Sequence, residues 1–440
     1  MFQAITNRSV RMVERYLPDP FIFVLVLTLL VFALGMGVER QSPVAMVEFW
    51  GGGFWNLLTF GMQMVLVLTT GFVLASTPFF RRILSALARS VSTPGAAIVL
   101  VTLVSMVAAW INWGFGLVIG ALFARQLAQV VPRVDYRLLI ASAYSGFLVW
   151  HGGLASSIGL LIATEGHFTQ DKIGIVSTSD TIFATFNLLI VLAIIIIIPL
   201  VNRMMMGPPE KAHVVDPEKL REEEEGEELP PVETPADRLE NSVTLAQAVG
   251  VMGLVFIGYY FIANSGTLNL NIVNFTFLML GIMLHGRPSQ FLRSLQEAVK
   301  GASGIIIQFP FYAGIMGMMI DSGLAATISQ GFVAISNSFT FPLFAFLSAG
   351  IVNIFVPSGG GQWAVQADIM LDAALALNAD VARTAMAVAW GDAWTNMIQP
   401  FWALPALAIA GLRAKDIMGY CLIVLVVSGV IIGAGLVFIP

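Results

Sequence analysis

A short glycine-rich segment interrupts a strongly apolar part of the chain. Residues 358–362, Ser-Gly-Gly-Gly-Gln, follow Pro357 and offer a hydroxyl group and several unhindered backbone amides. Proline and consecutive glycines are poor helix formers, and in hydrocarbon every freed backbone group needs another partner. Amides at the start of a resuming helix attract a carboxylate. The alternative is that the glycines only allow close helix packing. The residues that we predict to bind an anionic substrate here are Ser358, Gly359, Gly360, Gly361, Gln362 and Trp363.

An acidic residue lies within a second apolar segment of the same half. Asp392 is the only acid in residues 385–411, and a carboxylate at membrane depth is costly and usually functional. It could bind a sodium ion, accept a transported proton or cap a helix start. It is not expected to bind the substrate, because two negative charges repel each other. The candidates for the coupling-ion site or its framework are Asn353, Asp392, Thr395, Asn396 and Gln399.

The first half of the chain carries similar polar breaks within its apolar runs. A histidine in the second break could carry a proton, donate a hydrogen bond to a carboxylate or be purely structural. Serine hydroxyls and glycine amides beside these breaks would complete a substrate site. The residues added to the predicted substrate site are Asn112, Gly114, Gly116, His151, Ser156 and Ser157.

Equal spacings relate the two halves. Asn112 and His151 are 39 residues apart, as are Asn353 and Asp392, and the common offset is 241. This offset superposes the broken segments and leaves residues 243–263 as one extra crossing, which would invert the second repeat. Inverted repeats with a site between them at mid-membrane are typical of secondary transporters. We therefore predict two inverted-topology repeats with broken helices or re-entrant hairpins; a chance coincidence of one spacing is the alternative.

The elements that must position these residues are transmembrane helices. Hydrophobic residues make up 57% of the chain and charged residues 11%, against about 25% charged in soluble proteins, and the mean hydropathy is +0.84. Apolar runs of about 20 residues, long enough to cross a bilayer, recur throughout. The predicted fold class is an all-α polytopic membrane protein. Its predicted apolar elements are 21–38, 51–76, 95–112, 113–130, 138–163, 179–203, 243–263, 268–286, 302–320, 340–357, 358–376, 385–411 and 416–439.

An acidic linker divides the membrane part. Residues 207–241 contain twelve acids, four bases and six prolines, a composition typical of a solvated segment. Basic residues cluster near the N-terminus and on the linker side of the predicted helices, which predicts a cytoplasmic N-terminus and linker, with an interfacial helix over residues 1–17. The predicted divisions are 1–206, the first membrane repeat; 207–241, the acidic cytoplasmic linker; 242–264, a connecting helix; and 265–440, the second, inverted repeat.

Enzymatic signatures are missing from the sequence. It has no nucleotide-binding loop, no HExxH motif and no cysteine/histidine cluster, and its single cysteine, Cys421, excludes an intramolecular disulfide. We expect no enzyme, no resident cofactor and no nucleic-acid partner. The expected partners are the lipid bilayer and a small anion, moved by an ion gradient or by the membrane potential.

Two long motifs of the second half carry a family resemblance. Residues 353–366 (NIFVPSGGGQWAVQ) and 391–405 (GDAWTNMIQPFWALP) resemble the bacterial short-chain fatty acid transporter family of the ion transporter superfamily. Residues 113–116 and 150–153 are weaker matches, and the similarity runs the full length. The resemblance implies a multi-pass carrier in the bacterial inner membrane, for monocarboxylates such as butyrate or acetoacetate, coupled to Na⁺ or H⁺. A homodimer is one arrangement that it allows.

Three alternatives stay open beside this secondary active transporter. The first is a carrier of di- or tricarboxylates or of another organic anion in the same superfamily; the bidentate arginine clamp expected for a dicarboxylate is missing from these motifs, because no arginine lies near the glycines in the broken segments. A passive anion channel would use the same breaks without coupling. A membrane scaffold would use the acidic linker for docking.

Overall fold

The computed structural model describes residues 20–208, 210, 212–216, 220, 233–263, 267–354, 356–399 and 402–440. Within these ranges every regular element is helical. The predicted interfacial helix over residues 1–17 and much of the predicted linker, including 221–232, lie outside the described residues.

The helices of the first half begin close to the predicted apolar elements. A 3₁₀ segment, Gly146–Gly152, follows the helix Tyr136–Ser145. In chain order the helices are α1 (Pro20–Gly37), α2 (Pro43–Gly53), α3 (Leu58–Ala75), α4 (Pro78–Ala88), α5 (Pro94–Ile111), α6 (Trp113–Val130), α7 (Tyr136–Ser145), α8 (Ser157–Leu161), α9 (Gln170–Ile173) and α10 (Thr185–Met204).

The second half follows a short helix at the end of the linker. Its helices are α11 (Pro235–Glu240), α12 (Val243–Ala263), α13 (Leu270–His285), α14 (Pro288–Lys300), α15 (Ser303–Asp321), α16 (Leu324–Ile335), α17 (Phe341–Asn353), α18 (Gly359–Ala376), α19 (Val381–Thr395), α20 (Ala403–Ala410) and α21 (Ala414–Phe438).

Length and apolar composition mark eight helical stretches of the described chain as able to cross a membrane. The prediction of an all-α polytopic membrane protein is confirmed. The inversion of the second half stays a prediction. The eight stretches are Leu58–Ala75, Pro94–Ile111, Trp113–Val130, Tyr136–Leu161, Thr185–Met204, Pro235–Ala263, Ser303–Asp321 and Ala414–Phe438.

The same capping pattern occurs once in each half. Asn112 caps α6 and Asp135 caps α7, while Ser358 caps α18 and Asp380 caps α19, each by accepting a hydrogen bond from a backbone amide of the first turn. Helix α18 begins 246 residues after α6, and α19 begins 245 after α7. These values exceed the offset of 241 because the loop before α18 is longer than the single-residue break at Asn112.

The breaks are shorter than the sequence predicts. Helix α18 already begins at Gly359, and α19 continues through Thr395, so Asp392 lies on a helix. Glycines are tolerated at the start of α18 because the amides of a first turn have no intrahelical partner in any case. Residues 51–76, predicted as one element, are likewise divided: they contain the end of α2 and the whole of α3, separated at residues 54–57.

Three longer helices lie wholly outside the predicted apolar elements, as do the short helices α9 and α11. Helices α4 and α14 begin with proline and are strongly amphipathic, with basic residues on their polar faces. This pattern is typical of helices that lie along a membrane surface. The third, α16, is apolar but only 12 residues long.

Packing gathers the broken segments in one place. Helix α17 lies along α19, and α5 lies along α6. The 3₁₀ segment contacts both α5 and α19, while α18 contacts α3, α8 and α15. At the far end of α18, the ammonium group of Lys172 on α9 lies 2.6 Å from Asp368 and 2.7 Å from Asp372. This charge cluster ties the loop of the first half to α18.

The described linker residues pack against the ends of α6 and α7. The carbonyl of Leu220 accepts a hydrogen bond from the Arg125 guanidinium (3.0 Å), and that of His213 accepts one from the amide of Tyr136 (2.8 Å). Arg125 also donates to the carbonyl of Ile409 on α20 (2.8 Å). The linker thus meets the membrane part beside the last turn of α20.

Candidate functional site

Two buried titratable side chains from different halves are in contact. His151 Nε2 lies 3.4 Å from Asp392 Oδ2, and both side chains are fully buried. The other ring nitrogen, Nδ1, lies 3.3 Å from the hydroxyl of Ser156, which accepts a hydrogen bond from the amide of Gly159. The hydroxyl therefore has its single hydrogen available for Nδ1. In this arrangement Nε2 carries the ring proton and faces the carboxylate.

The carboxyl group of Asp392 is weakly coordinated. Besides His151, Oδ2 receives only the side-chain amide of Asn396, at 3.5 Å. Oδ1 is buried and has no hydrogen-bond partner among the described residues. A buried carboxylate with so few donors is costly as an anion.

The 3₁₀ segment holds His151 through aromatic stacking. In a 3₁₀ helix the side chains of residues three apart eclipse each other, and here Tyr144, Phe147 and Trp150 form a stack with centroid distances of 6.0 and 5.5 Å. The indole of Trp150 lies 3.6 Å from the imidazole centroid of His151. The ring of Trp113 contacts that of Trp150 edge-on. The unwound segment is therefore rigidly packed.

A network that the sequence analysis missed fixes the backbone beside His151. The carbonyl of Gly152 accepts hydrogen bonds from Trp110 Nε1 and Asn187 Nδ2, each at 3.0 Å. Asn187 Oδ1 accepts one from Trp390 Nε1 at 2.9 Å, and Trp390 lies on the helix that carries Asp392. The position of Asn187 inside the apolar run 179–203 was the available signal.

The first turn of α18 contacts the His151–Asp392 pair. The Ser358 hydroxyl caps the helix by accepting from the amide of Gly361 at 3.3 Å, and the amides of Gly359 and Gly360 have no acceptor among the described residues. A Cβ atom added at Gly359 would lie under 3.0 Å from His151 Nε2. The imidazole therefore packs directly on the N-terminus of α18.

Aromatic side chains cover the other two glycines. A Cβ at Gly360 would lie 2.7 Å from the ring of Phe60, and one at Gly361 would clash with the ring of Tyr312. Phe309 joins these rings, with centroid distances of 5.7 Å to Phe60 and 5.9 Å to Tyr312. Since ordinary apolar runs contain all three, no local signal in the sequence identifies them. They give the α18 turn an apolar wall.

The corresponding glycines of the first half meet backbone instead. A Cβ at Gly114 would lie 2.9 Å from the carbonyl oxygen of Leu68, and one at Gly116 would clash with the backbone of Ala109. Asn112 accepts from an amide of its own helix and donates to the carbonyl of Val67 at 3.3 Å. These residues serve the close helix packing considered as the alternative for glycine-rich breaks.

Asn353 sits at the centre of a group of oxygens. Its Nδ2 lies 2.9 Å from the Asp392 carbonyl, from Thr395 Oγ1 and from Asn396 Oδ1. An amide nitrogen has two hydrogens for these three acceptors, and it occupies the point on which the oxygens converge. A sodium ion could use the same oxygens only after the Asn353 side chain had moved away.

The remaining predicted residues are buried around these contacts. Gln362 Nε2 donates to the carbonyl of Ala349 and to Gln366 Oε1, both at 2.8 Å. The Ser157 hydroxyl lies 3.2 Å from the sulfur of Met64, and Trp363 and Gln399 are also buried. Among the described residues, no group of three or more His, Cys, Asp or Glu side chains could hold a metal ion.

The His151–Asp392 pair and the glycines that begin α18 are buried. Beside the stack, between α6, α7 and α20, a cavity of about 10 Å³ offers room for roughly one water molecule. Larger clefts lie at the ends of the molecule: one of about 630 Å³ is lined by Lys172, Asp180 and Arg383, and one of about 210 Å³ by Pro132 and Arg133. Neither cleft is lined by the His151–Asp392 pair.

Comparison with known proteins agrees with the membrane fold. The family model described as short chain fatty acid transporter matches residues 1–439. An Escherichia coli K12 protein named for short-chain fatty acid transport is 45% identical over 437 residues, covering 99% of both chains. A Haemophilus influenzae protein of the same name is 42% identical over 447 residues and all of both chains. The crystal structure of the Alcanivorax borkumensis YdaH transporter, described as having an unusual topology, shares the fold with a TM-score of 0.61 at 15% identity, covering 95% of this chain and 98% of that one. The chain belongs to the short-chain fatty acid transporter family.

Proposed function

We propose that this protein is a secondary active transporter that moves short-chain fatty acids, of the size of butyrate and acetoacetate, across the bacterial cytoplasmic membrane with a coupling cation. The observation that carries the proposal is the buried first turn of α18, where two amides without acceptors meet His151 and an aromatic wall. The names of the two bacterial relatives support the substrate class.

The substrate carboxylate would bind at the N-terminus of α18. The amides of Gly359 and Gly360 and the Ser358 hydroxyl supply donors for its two oxygens, His151 lies beside them, and the helix end supplies partial positive charge. No lysine or arginine is bonded to these groups among the described residues, which suits one carboxylate better than two.

The alkyl chain would lie against the rings of Phe60, Phe309 and Tyr312. These rings pack directly on the glycines, so the binding space opens only as far as the rings move apart. A limited opening favours a chain of a few carbon atoms. In the same proposal Asn112, Gly114 and Gly116 support the helices and do not bind the substrate.

Transport would proceed by alternating access around this closed site. We retain the inverted repeats 1–206 and 265–440, the connecting helix 242–264 and the cytoplasmic N-terminus and linker 207–241 as part of the proposal. The recurrence of the capped helices in both halves supports the repeats. The burial of the site away from both end clefts favours a carrier over an open channel.

Uptake into proteoliposomes tests the proposal. Because undissociated butyric acid crosses lipid unaided, the readout is the difference between vesicles with and without protein. Vesicles preloaded with unlabelled butyrate should take up labelled butyrate by exchange, with competition from acetoacetate and none from succinate. Equal competition by succinate would indicate a dicarboxylate carrier, and uptake that neither saturates nor exchanges would indicate a channel.

A matched pair of variants locates the site. Gly360→Leu inserts a side chain against Phe60 and should abolish exchange, whereas Gly331→Leu lies on an exposed part of α16 with no atom within 4 Å of its Cβ and should not. Normal exchange by Gly360→Leu would refute the placement of the carboxylate.

A further inference from the structure

We propose that the coupling ion is a proton and that the His151–Asp392 pair carries it together with the substrate. This inference rests on the proposed function, because it names the ion that accompanies the carboxylate at the α18 turn. The pair joins the two halves of the chain: His151 ends the 3₁₀ segment of the first, and Asp392 lies in the last turns of α19 in the second.

The proton and the substrate would occupy neighbouring positions. His151 Nε2 packs on Gly359, the first residue of α18, and simultaneously faces Asp392 Oδ2 at 3.4 Å. A carboxylate bound to the α18 amides therefore adds its negative charge beside that of Asp392. Two like charges in a low-dielectric interior repel strongly.

One proton removes this conflict. With a neutral imidazole and an ionised Asp392 the empty site carries one negative charge, and a bound monocarboxylate alone would bring the total to two. A monocarboxylate with one proton leaves the buried charge equal to that of the empty site. Since charge within the membrane is expensive, one-to-one symport lets the loaded and the empty site move with the same charge.

The pair has room for the extra proton. Asp392 Oδ1 has no donor or acceptor among the described residues, and Oδ2 has only its long contacts to His151 and Asn396. A proton on this carboxyl group cancels a charge that the closed site solvates poorly. When the site opens toward one face of the membrane, Asp392 would exchange its proton with the water of the cleft at that end of the molecule.

Few other titratable groups face the pair. The ones that interact electrostatically with Asp392 are Tyr144 on α7 and Tyr312 on α15, and Cys421 on α21 interacts with Tyr144. The other charged residues of α18 and α19 have contacts elsewhere. Asp368 and Asp372 bind Lys172, Asp380 caps α19, and Arg383 donates to carbonyls at the end of α21.

The alternative sodium position is filled by the protein itself. The oxygens of Asp392, Thr395 and Asn396 converge on the amide nitrogen of Asn353 at 2.9 Å. We therefore assign Asn353, Thr395 and Asn396 to the framework that positions Asp392. We accordingly assign the proton to the His151–Asp392 pair, which is the buried titratable group in contact with the first residue of α18.

Gradient-driven accumulation of labelled acetoacetate in proteoliposomes tests the inference. At zero membrane potential, an inward proton gradient of one pH unit should raise the initial rate of uptake above that of protein-free vesicles, toward an internal concentration about tenfold higher than the external one, and a sodium gradient should leave that rate unchanged. Asp392→Asn should lose the response of this protein-dependent rate to the proton gradient. Asp321→Asn, at an exposed residue that ends α15, should keep the full response.

The outcomes separate the two proposals. Sodium-driven accumulation, or an Asp392→Asn protein that still follows the proton gradient, would overturn proton coupling but leave the transporter intact. A wild-type protein without any exchange would overturn the proposed function itself. If the Asp392 variant does not fold, a pH dye settles the question with wild-type protein in detergent: about one proton should be taken up per butyrate bound at neutral pH, and no uptake would refute the inference.

Discussion

Replacing Gly359 by alanine perturbs the contact on which the site depends. The new methyl group would lie 2.9 Å from the ring of Trp150 and closer still to His151 Nε2, whereas ordinary contact begins at 3.4 Å. The imidazole must therefore shift by on the order of 1 Å. Two hydrogen bonds to the carbonyl of Gly152 hold the backbone beside His151. The imidazole ring of His151 can therefore move only by turning away from Asp392.

The expected magnitudes differ between folding and transport. Overpacking by one methyl group costs about 1–3 kcal/mol, and the better helix propensity of alanine returns up to about 1 kcal/mol. The protein should therefore still fold, with stability reduced by about 0–3 kcal/mol. A misplacement of 1 Å in a reactive arrangement can reduce a rate by about 100-fold, and we expect exchange to fall by a factor of that order.

The assay compares Gly359→Ala with Gly331→Ala at equal amounts of protein in the vesicle. Gly331 is also helical, but a Cβ there meets no atom within 4 Å, so its variant should exchange butyrate like the wild type. Thermal unfolding in detergent separates lost function from lost fold. Exchange by Gly359→Ala within about twofold of the wild type would refute the role given to the His151 contact.

Three further predictions follow from the contacts of single side chains. Ser358→Ala should raise the KM for butyrate about fivefold, because it removes one hydrogen-bond donor to the carboxylate, worth about 1 kcal/mol; an unchanged KM would place the carboxylate elsewhere. Asn353→Ala should lower the unfolding free energy by about 2–4 kcal/mol, since it leaves buried oxygens without a donor, and added sodium should not change the Tm of the wild type. Burial lowers the pKa of Lys172, but hydrogen bonds to Asp368 and Asp372 outweigh it and hold the pKa above its ordinary value; the stability from this cluster is therefore complete below about pH 10 and lost only above it. Lys172→Gln should cost about 1 kcal/mol in thermal unfolding and leave the pH dependence of uptake between about pH 5 and 8 unchanged, whereas an altered profile would show that Lys172 takes part in coupling.

The sequence indicated the individual residues of the candidate site better than it indicated which of them contact each other. His151 and Asp392 stood out because charged or titratable groups are rare in apolar runs, and Ser358 stood out as the residue before three glycines. Their mutual contact is not encoded in any local pattern, since they are 241 residues apart in the chain. The repeat hypothesis related them to each other but did not predict that they touch.

The two glycine-rich breaks show a different limit. Gly114 and Gly359 follow similar helix caps, yet the first packs on backbone and the second on a histidine side chain. A glycine in the sequence indicates that another group approaches closely. It does not indicate whether that group is the backbone of a helix or a side-chain ring that can move. The structure likewise continues α19 through Asp392, where the sequence predicted unwound backbone.

Locating the carboxylate tests the central claim most directly. A crystal or cryo-electron microscopy structure with bromine-substituted propionate would show both ends of a short monocarboxylate. We expect the carboxylate at the amides of Gly359 and Gly360 beside His151, with the bromine among Phe60, Phe309 and Tyr312. Density in the end cleft lined by Lys172 and Arg383, with the α18 turn still closed, would contradict it.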